Sequence, residues 1–194
     1  MGVFLRPDGR RFVREPGEEP GVFATAPEDD VDRWLAAGFV VHRREDAYLV
    51  PTVPPEPHRF LRPADVDLDR LRLLDDELRQ DVPGTDGWRW APADFVEETL
   101  SARSVYLVAP EYAGICRVWL RDPTPRLGFV GVRRSERRRA LGRALVAAAL
   151  GETRALGYRE VTTEIDETNV ASQRLFASFG ARRVGGFVEL FRPA

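Results

Sequence analysis

Leucine recurs along one side of the stretch from Asp67 to Gln80, at Leu68, Leu71, Leu74 and Leu78. That spacing predicts an amphipathic helix, with Asp67 placed to cap its first amides. Alternation takes over further on. Ser104 to Ala109, Gly114 to Leu120 and Leu127 to Val132 read as three strands separated by proline turns. An alanine- and leucine-rich helix follows from Leu141 to Leu156 and stops at Gly157. Then come a strand at Glu160 to Ile165, a helix at Ala171 to Phe179 ended by Gly180, and two closing strands around a Gly185-Gly186 turn. Between the leucine helix and the first of these strands, Pro92 to Leu100 reads as a further helix. Upstream, Gly21 to Ala26 reads as a strand and Glu28 to Ala37 as a helix through Val31, Trp34 and Leu35. Phe39 to His42 and Ala47 to Val50 read as two more strands, and Arg59 to Arg62 as a short one. The run PTVPPEP at Pro51 to Pro57 is a stiff extended connector. The pattern therefore predicts a mixed α/β sheet, β-α-α-β-β-β-α-β-α-β-β, over residues 56–194. An N-terminal β-α-β-β appendage occupies residues 1–55.

Composition narrows the function classes. Hydrophobic residues make up 43% of the 194, which excludes a disordered chain. A net charge of −2 argues against a nucleic-acid partner, since dedicated binders are basic overall. One cysteine leaves no intrachain disulfide, and no cysteine-rich metal site is expected. The start, MGVFLRPDGRR, lacks the apolar stretch of a signal peptide, and no apolar run nears the ~18 residues of a membrane span. The expectation is a cytoplasmic protein without a membrane partner; a homodimer is compatible with the chain. All 29 basic residues are arginine, so no lysine is present to act as a base or form a Schiff base.

The chemistry concentrates at VRRSERRRALGRAL, Val132 to Leu145. A strand runs into an arginine-rich turn and directly into a helix. The first helical turn leaves amides unpaired and carries roughly half a positive charge. Ala140 and Gly142 let backbone approach an anion closely, and Arg133, Arg134, Arg137, Arg138, Arg139 and Arg143 add counter-charge. The expected ligand is a phosphate or pyrophosphate.

The order of elements, the R-x-x-A-x-G run at Arg137 to Gly142, and the segment NVASQRLFASFGAR resemble the GNAT N-acetyltransferase superfamily. The resemblance covers roughly Arg59 to the C-terminus. It implies that the turn holds the pyrophosphate of acetyl-CoA, taken as cosubstrate, with no metal, and that the acetyl group passes to an amine acceptor. Arg137 matches the leading position of the family's Q/R-x-x-G-x-G/A motif, Gly142 the last, and Ala140 stands where the first glycine is usual. Backbone amides across Arg138, Arg139, Ala140, Leu141, Gly142 and Arg143 would hold the pyrophosphate. Val130 and Val132 would lie beside the pantetheine, with an amide there as oxyanion donor. Asn169, Ser172, Leu175, Phe176 and Gly180 fall at the spacing of the second motif. Phe176 replaces the tyrosine that many relatives place to protonate the thiolate. A positioned acid typically contributes about 10²–10⁴ in rate, although a thiol of pKa near ~8.5 already leaves tolerably.

No general base stands out. Glu164, Asp166 and Glu111 sit at strand ends, where a solvated charge is the ordinary role; His42 and His58 lie at or before the connector. Cys116 lies on an alternating apolar strand and reads as buried and inert. Trp88 and Trp90, in a Gly-, Pro- and Asp-rich loop, fit either the acceptor pocket or ordinary packing. Aligning Gly38 with Gly180 places Trp34 over Phe176 and WLAAGFVVHRREDAYLVP beside FASFGARRVGGFVELFRP. The first 55 residues thus resemble the C-terminal half of another GNAT unit that lacks the arginine-rich turn. The reading is an acetyl-CoA-dependent N-acetyltransferase acting by direct attack in a ternary complex. The alternatives are a catalytically weak or inactive acyl-CoA-binding sensor and, further off, a nucleic-acid binder using the arginine run.

Overall fold

The computed structural model describes residues 2–6, 9–84, 100 and 103–194. Within them the strands are β1 (Phe4–Leu5), β2 (Arg11–Phe12), β3 (Val22–Pro27), β4 (Val40–Pro51), β5 (Ser104–Val108), β6 (Gly114–Trp119), β7 (Arg126–Val132), β8 (Glu160–Asp166) and β9 (Arg182–Arg192). The helices are α1 (Val31–Ala36), α2 (Leu68–Arg79), α3 (Leu141–Ala155) and α4 (Val170–Ala177). The helix expected at Pro92 to Leu100 lies outside the described residues apart from Leu100. The strand expected at Arg59 to Arg62 is reduced to one bridge, Leu61 to Val108.

Local chemistry explains the helices. The Asp67 carboxylate accepts from the amides of Asp69 at 2.9 Å and Arg70 at 3.0 Å, relieving two of the four unpaired donors at the start of α2. Leu71, Leu74 and Leu78 are buried, whereas Leu68 in the first turn is exposed. α3 buries Leu145, Val146, Ala149 and Leu150 against β5 to β8, and Gly157 beyond it takes a left-handed φ of 98°. α1 packs Val31 and Trp34 on Val22, Ala24, Val188 and Leu190. Since neighbouring strand residues point to opposite faces, these contacts put α1, α3 and α4 on one face of the sheet. α2 covers the β5–β7 end of the other face. Beneath it lies a buried ionic group, with the Arg79 Nε 2.7 Å from Asp75 and Arg117 3.9 Å from the same carboxylate.

All nine strands form one mixed sheet in the order β1-β2-β3-β9-β4-β8-β7-β6-β5. It runs without a break across the division expected at residues 55 and 56. β4, from the N-terminal segment, lies in the interior between β8 and β9. Apart from β5, the order reads the same from either end when β1–β4 are exchanged for β6–β9. The registers follow the same rule. Glu45 and Phe187 stand at equivalent places after Gly38 and Gly180, and they pair with each other. About them, Arg44↔Val188 mirrors Asp46↔Gly186, Arg43↔Glu189 mirrors Ala47↔Gly185, and Val40↔Phe191 mirrors Leu49↔Arg182. β3 pairs with β9 as β8 pairs with β4, and the parallel contact of β2 with β3 at Phe12↔Phe23 matches that of β7 with β8 at Arg126↔Thr162. A pseudo-two-fold axis passes through the middle of the sheet.

The symmetry accounts for two differences from the expected elements. Residues 40–51 and 182–192 are each one long strand, not hairpins. A hairpin needs a free edge for its returning arm, and both edges of β4 and of β9 are taken by other strands. The Gly185-Gly186 pair is accordingly a close approach within a strand. A Cβ on Gly186 would come within 2.9 Å of the Glu45 carbonyl oxygen.

Candidate active site

β7 and β8 touch at a single register position, Arg126↔Thr162, and then separate. The Thr163 hydroxyl bonds to the Leu127 carbonyl at 3.0 Å just before the strands part. Beyond this point a cleft of about 260 Å³ opens, walled by β7, β8, the start of α4 and residues 78–83 at the end of α2. Along its β7 wall the backbone is presented to the cavity. Arg133 donates its amide to Ala113 at 2.9 Å, toward β6. Alternation then turns the amides and carbonyls of Val132 and Val130 the other way, into the cleft. The Val132 carbonyl is met there by the Arg137 Nε at 3.0 Å, and the same guanidinium pairs with Asp81 on the opposite wall.

The β7 wall leads to the N-terminus of α3. Ala140 is the N-cap and offers no side-chain bond, and its carbonyl takes the first helical bond, from Ala144 at 3.0 Å. The amides of Leu141, Gly142 and Arg143 therefore have no partner within the helix. Ala140 and Arg138 both occupy the left-handed region, at φ 59° and 64°. This is the condition under which alanine, in place of the family's glycine, is a strained choice. Gly142 is different. A Cβ there would meet only the Val132 methyl, at 3.6 Å, an ordinary contact. Neither the backbone nor the packing of the protein calls for glycine at that place.

The six arginines divide. Arg133 bonds to Glu77 at 3.1 Å and Arg139 to Glu136 at 3.0 Å. Arg143 reaches the Ser178 hydroxyl and lies 4.7 Å over the Phe179 ring. Arg134 and Arg138 have no ion pair among the described residues. Across the cleft, Asn169 caps α4 by accepting from the Ser172 amide at 3.1 Å, and Ser172 lines the cavity. Phe176 lies at the cavity's inner edge with 2% of its surface exposed, packed in the main core.

Of the candidate bases, Glu164 and Asp166 line the cleft and Glu111 does not. Glu164 pairs with Arg126. Asp166 is buried, accepts from the Thr168 amide at 2.9 Å, and has the Arg43 Nε at 3.4 Å. His42 stands 3.7 Å from Glu189 and His58 2.7 Å from Glu152, both away from the cleft. Cys116 is buried, which pushes its thiol up to about 12. Trp88 and Trp90 lie outside the described residues. Two cleft carboxylates escaped the sequence reading: Asp81, held by Arg137, and Glu45 on β4, which pairs in register with Asp166. Burial raises the Glu45 pKa and the neighbouring Arg43 draws it back in part. The signal that leads to Glu45 is the repeat itself, because a strand equivalent to the C-terminal one belongs beside the same cleft.

Solved structures share this architecture. A GCN5-related N-acetyltransferase from Sphaerobacter thermophilus is 21% identical, with a TM-score of 0.62 over 90% of this chain and 60% of that one. A tandem GNAT protein from the clavulanic acid biosynthesis pathway is 18% identical, with a TM-score of 0.61 over 87% and 62%. A GCN5-related N-acetyltransferase from Kribbella flavida is 15% identical, with a TM-score of 0.60 over 89% and 68%. The chain thus spans only about 60% of the length of the first two. A comparison with curated proteins finds no match. No helix among the described residues is long and apolar enough to cross a membrane. The sequence profile of the acetyltransferase (GNAT) family matches residues 70–181, from α2 through the splayed strands and the arginine-rich turn to the residue after Gly180. The match covers more than half of the chain, and the chain belongs to the GNAT acetyltransferase family.

Proposed function

We propose that the protein transfers the acetyl group of acetyl-CoA to a primary amine by direct attack in a ternary complex. The observation that carries this reading is Gly142. Glycine within a helix is less favourable than alanine by roughly 0.5–1 kcal/mol, yet the surrounding protein has room for a methyl group at this helical position. The space is explained by a ligand close to the backbone. The unpaired amides of Leu141, Gly142 and Arg143 suit a pyrophosphate, with Arg138 and Arg139 beside it. The backbone groups of Val130 and Val132 suit the pantetheine amides, and an amide of the same strand suits the oxyanion of the tetrahedral intermediate. Asn169 and Ser172 border the other side.

Phe176 favours a second reading, a binder of acyl-CoA without efficient turnover, because a buried phenyl ring has no proton for the departing thiolate. Calorimetry with acetyl-CoA tests the cofactor. We expect the protein to bind and Gly142→Glu to lose about 100-fold or more in affinity; no binding by the parent protein sinks both readings. Thiol release with a panel of amines then separates enzyme from binder, since a binder shows no release above hydrolysis.

A further inference from the structure

A second cavity, of about 330 Å³, lies on the face of the sheet that carries α2, beyond the end that α2 covers and over the pseudo-two-fold axis. Each half of the sheet supplies part of it. Arg6, Arg10, Arg43 and Glu45 come from the N-terminal half, and Arg126 and Glu164 from the C-terminal half. Two carboxylates, Glu45 and Glu164, line both this cavity and the cleft between β7 and β8. Both belong to the walls of the two spaces, Glu45 paired with Arg43 and Glu164 with Arg126. At the far end, Arg10 lies 2.8 Å from Glu189 and Arg6 donates to the Thr25 hydroxyl at 3.4 Å. Among the described residues, the N-terminal half has nothing corresponding to α3. Only a short loop joins β2 to β3, so it offers no helix N-terminus for a pyrophosphate.

We infer that the N-terminal half, a GNAT-like half unit in origin, has become the acceptor-binding element of the C-terminal cleft. Its ligand is a small amine that also carries a carboxylate, with the amine between Glu45 and Glu164 and the carboxylate toward Arg6 and Arg10. The inference rests on the acetyl-transfer reading above. In the step it implies, the amine nitrogen attacks the thioester carbonyl carbon and its proton passes to the Glu45 carboxylate. The carbon–sulfur bond breaks, and the thiolate leaves to be protonated from solvent. Glu45 is a better proton acceptor than an exposed glutamate because burial raises its pKa. Glu164 on β8 and Glu189 on β9 add to the rise, while Arg43 on its own strand and Arg126 on β7 oppose it. Asp166 faces it from β8. A guanidinium holds a carboxylate through paired N–H donors, which gives the far end its selectivity.

The experiment uses the full chain with acetyl-CoA and three matched series: amino carboxylates, their methyl esters, and diamines of the same length. We expect kcat/KM for the amino carboxylates to exceed both other series by about tenfold or more. Arg10→Gln should raise the KM for amino carboxylates by a similar factor and narrow their margin over the esters. Glu45→Gln should lower kcat by about 10²–10⁴ and remove the acidic limb of the pH–rate profile. In the parent we expect that limb at a higher pH than an ordinary glutamate would give, since burial raises the Glu45 pKa. A melting curve checks that each variant is folded, a property that leaves the pH limb in place if Glu45 is only structural. Esters or diamines as good as the amino carboxylates overturn the substrate class, and a limb that survives Glu45→Gln overturns its role. Acetyl-CoA binding without turnover of any amine overturns this inference and leaves the cofactor site standing. Absence of acetyl-CoA binding overturns both.

Discussion

Ala140 holds a conformation that costs an L-residue roughly 1–2 kcal/mol, at the point where β7 gives way to α3. Its φ of 59° and ψ of 5° belong to the left-handed region, and its exposed methyl makes no compensating contact in the core. Ala140→Gly should therefore stabilise the fold by about 1 kcal/mol, the strain relieved less the extra freedom of glycine in the unfolded chain. Urea denaturation measures this, and a lower midpoint in the variant would contradict it. Side-chain identity showed a small residue here, but the backbone angle depends on how the turn closes. Glu45 was hidden for a related reason. It is one acidic residue among several in a segment set apart from the motifs, and it becomes a cleft residue only through its pairing with Asp166.

Among the elements, those whose partners are their own neighbours could be read from the chain. α2 shows its leucine period and its Asp67 cap, α3 its apolar run and terminal glycine, and β5 to β7 their alternation between turns. β4 and β9 could not be read, since what keeps each in one piece is a pair of strands supplied from the other end of the chain. The proline connector was legible as stiff, though not as docked. Thr52 donates its amide to Arg159 at 2.9 Å and its hydroxyl to Tyr158 at 3.0 Å, and Arg62 joins His58 in reaching Glu152 on α3. Gly151 makes the docking close, as a Cβ there would lie 2.9 Å from the Pro55 Cα and 3.3 Å from the Pro54 carbonyl oxygen. Neither atom is the end of a flexible side chain. Gly151→Ala should therefore destabilise by about 1–3 kcal/mol despite the better helix propensity of alanine. A denaturation midpoint equal to the parent's would show that the connector lifts off at little cost.

On the scale of the whole molecule, the family match begins inside α2, but the sheet does not begin there. Removing β1 to β4 bares both edges of β9 and the outer edge of β8, and it uncovers the Val188 and Leu190 face that packs on α1. Unpaired apolar edges of that length associate with other chains. Residues 56–194 expressed alone should be aggregated, or unfolded at concentrations where the full chain melts cooperatively. A soluble fragment with a cooperative melt would contradict this.

The position of β4 also sets a timetable for synthesis. It leaves the ribosome early, yet both of its neighbours are encoded roughly a hundred residues later, on the order of ten seconds of translation. Its pairings are among the most distant in the chain, the kind that form slowly because a long loop must close first. Throughout that interval the longest of the described strands has two bare edges. A ribosome that stalls before β8 thus releases a chain primed to aggregate, and one that stalls before β9 leaves β3 and β4 without the strand that joins them.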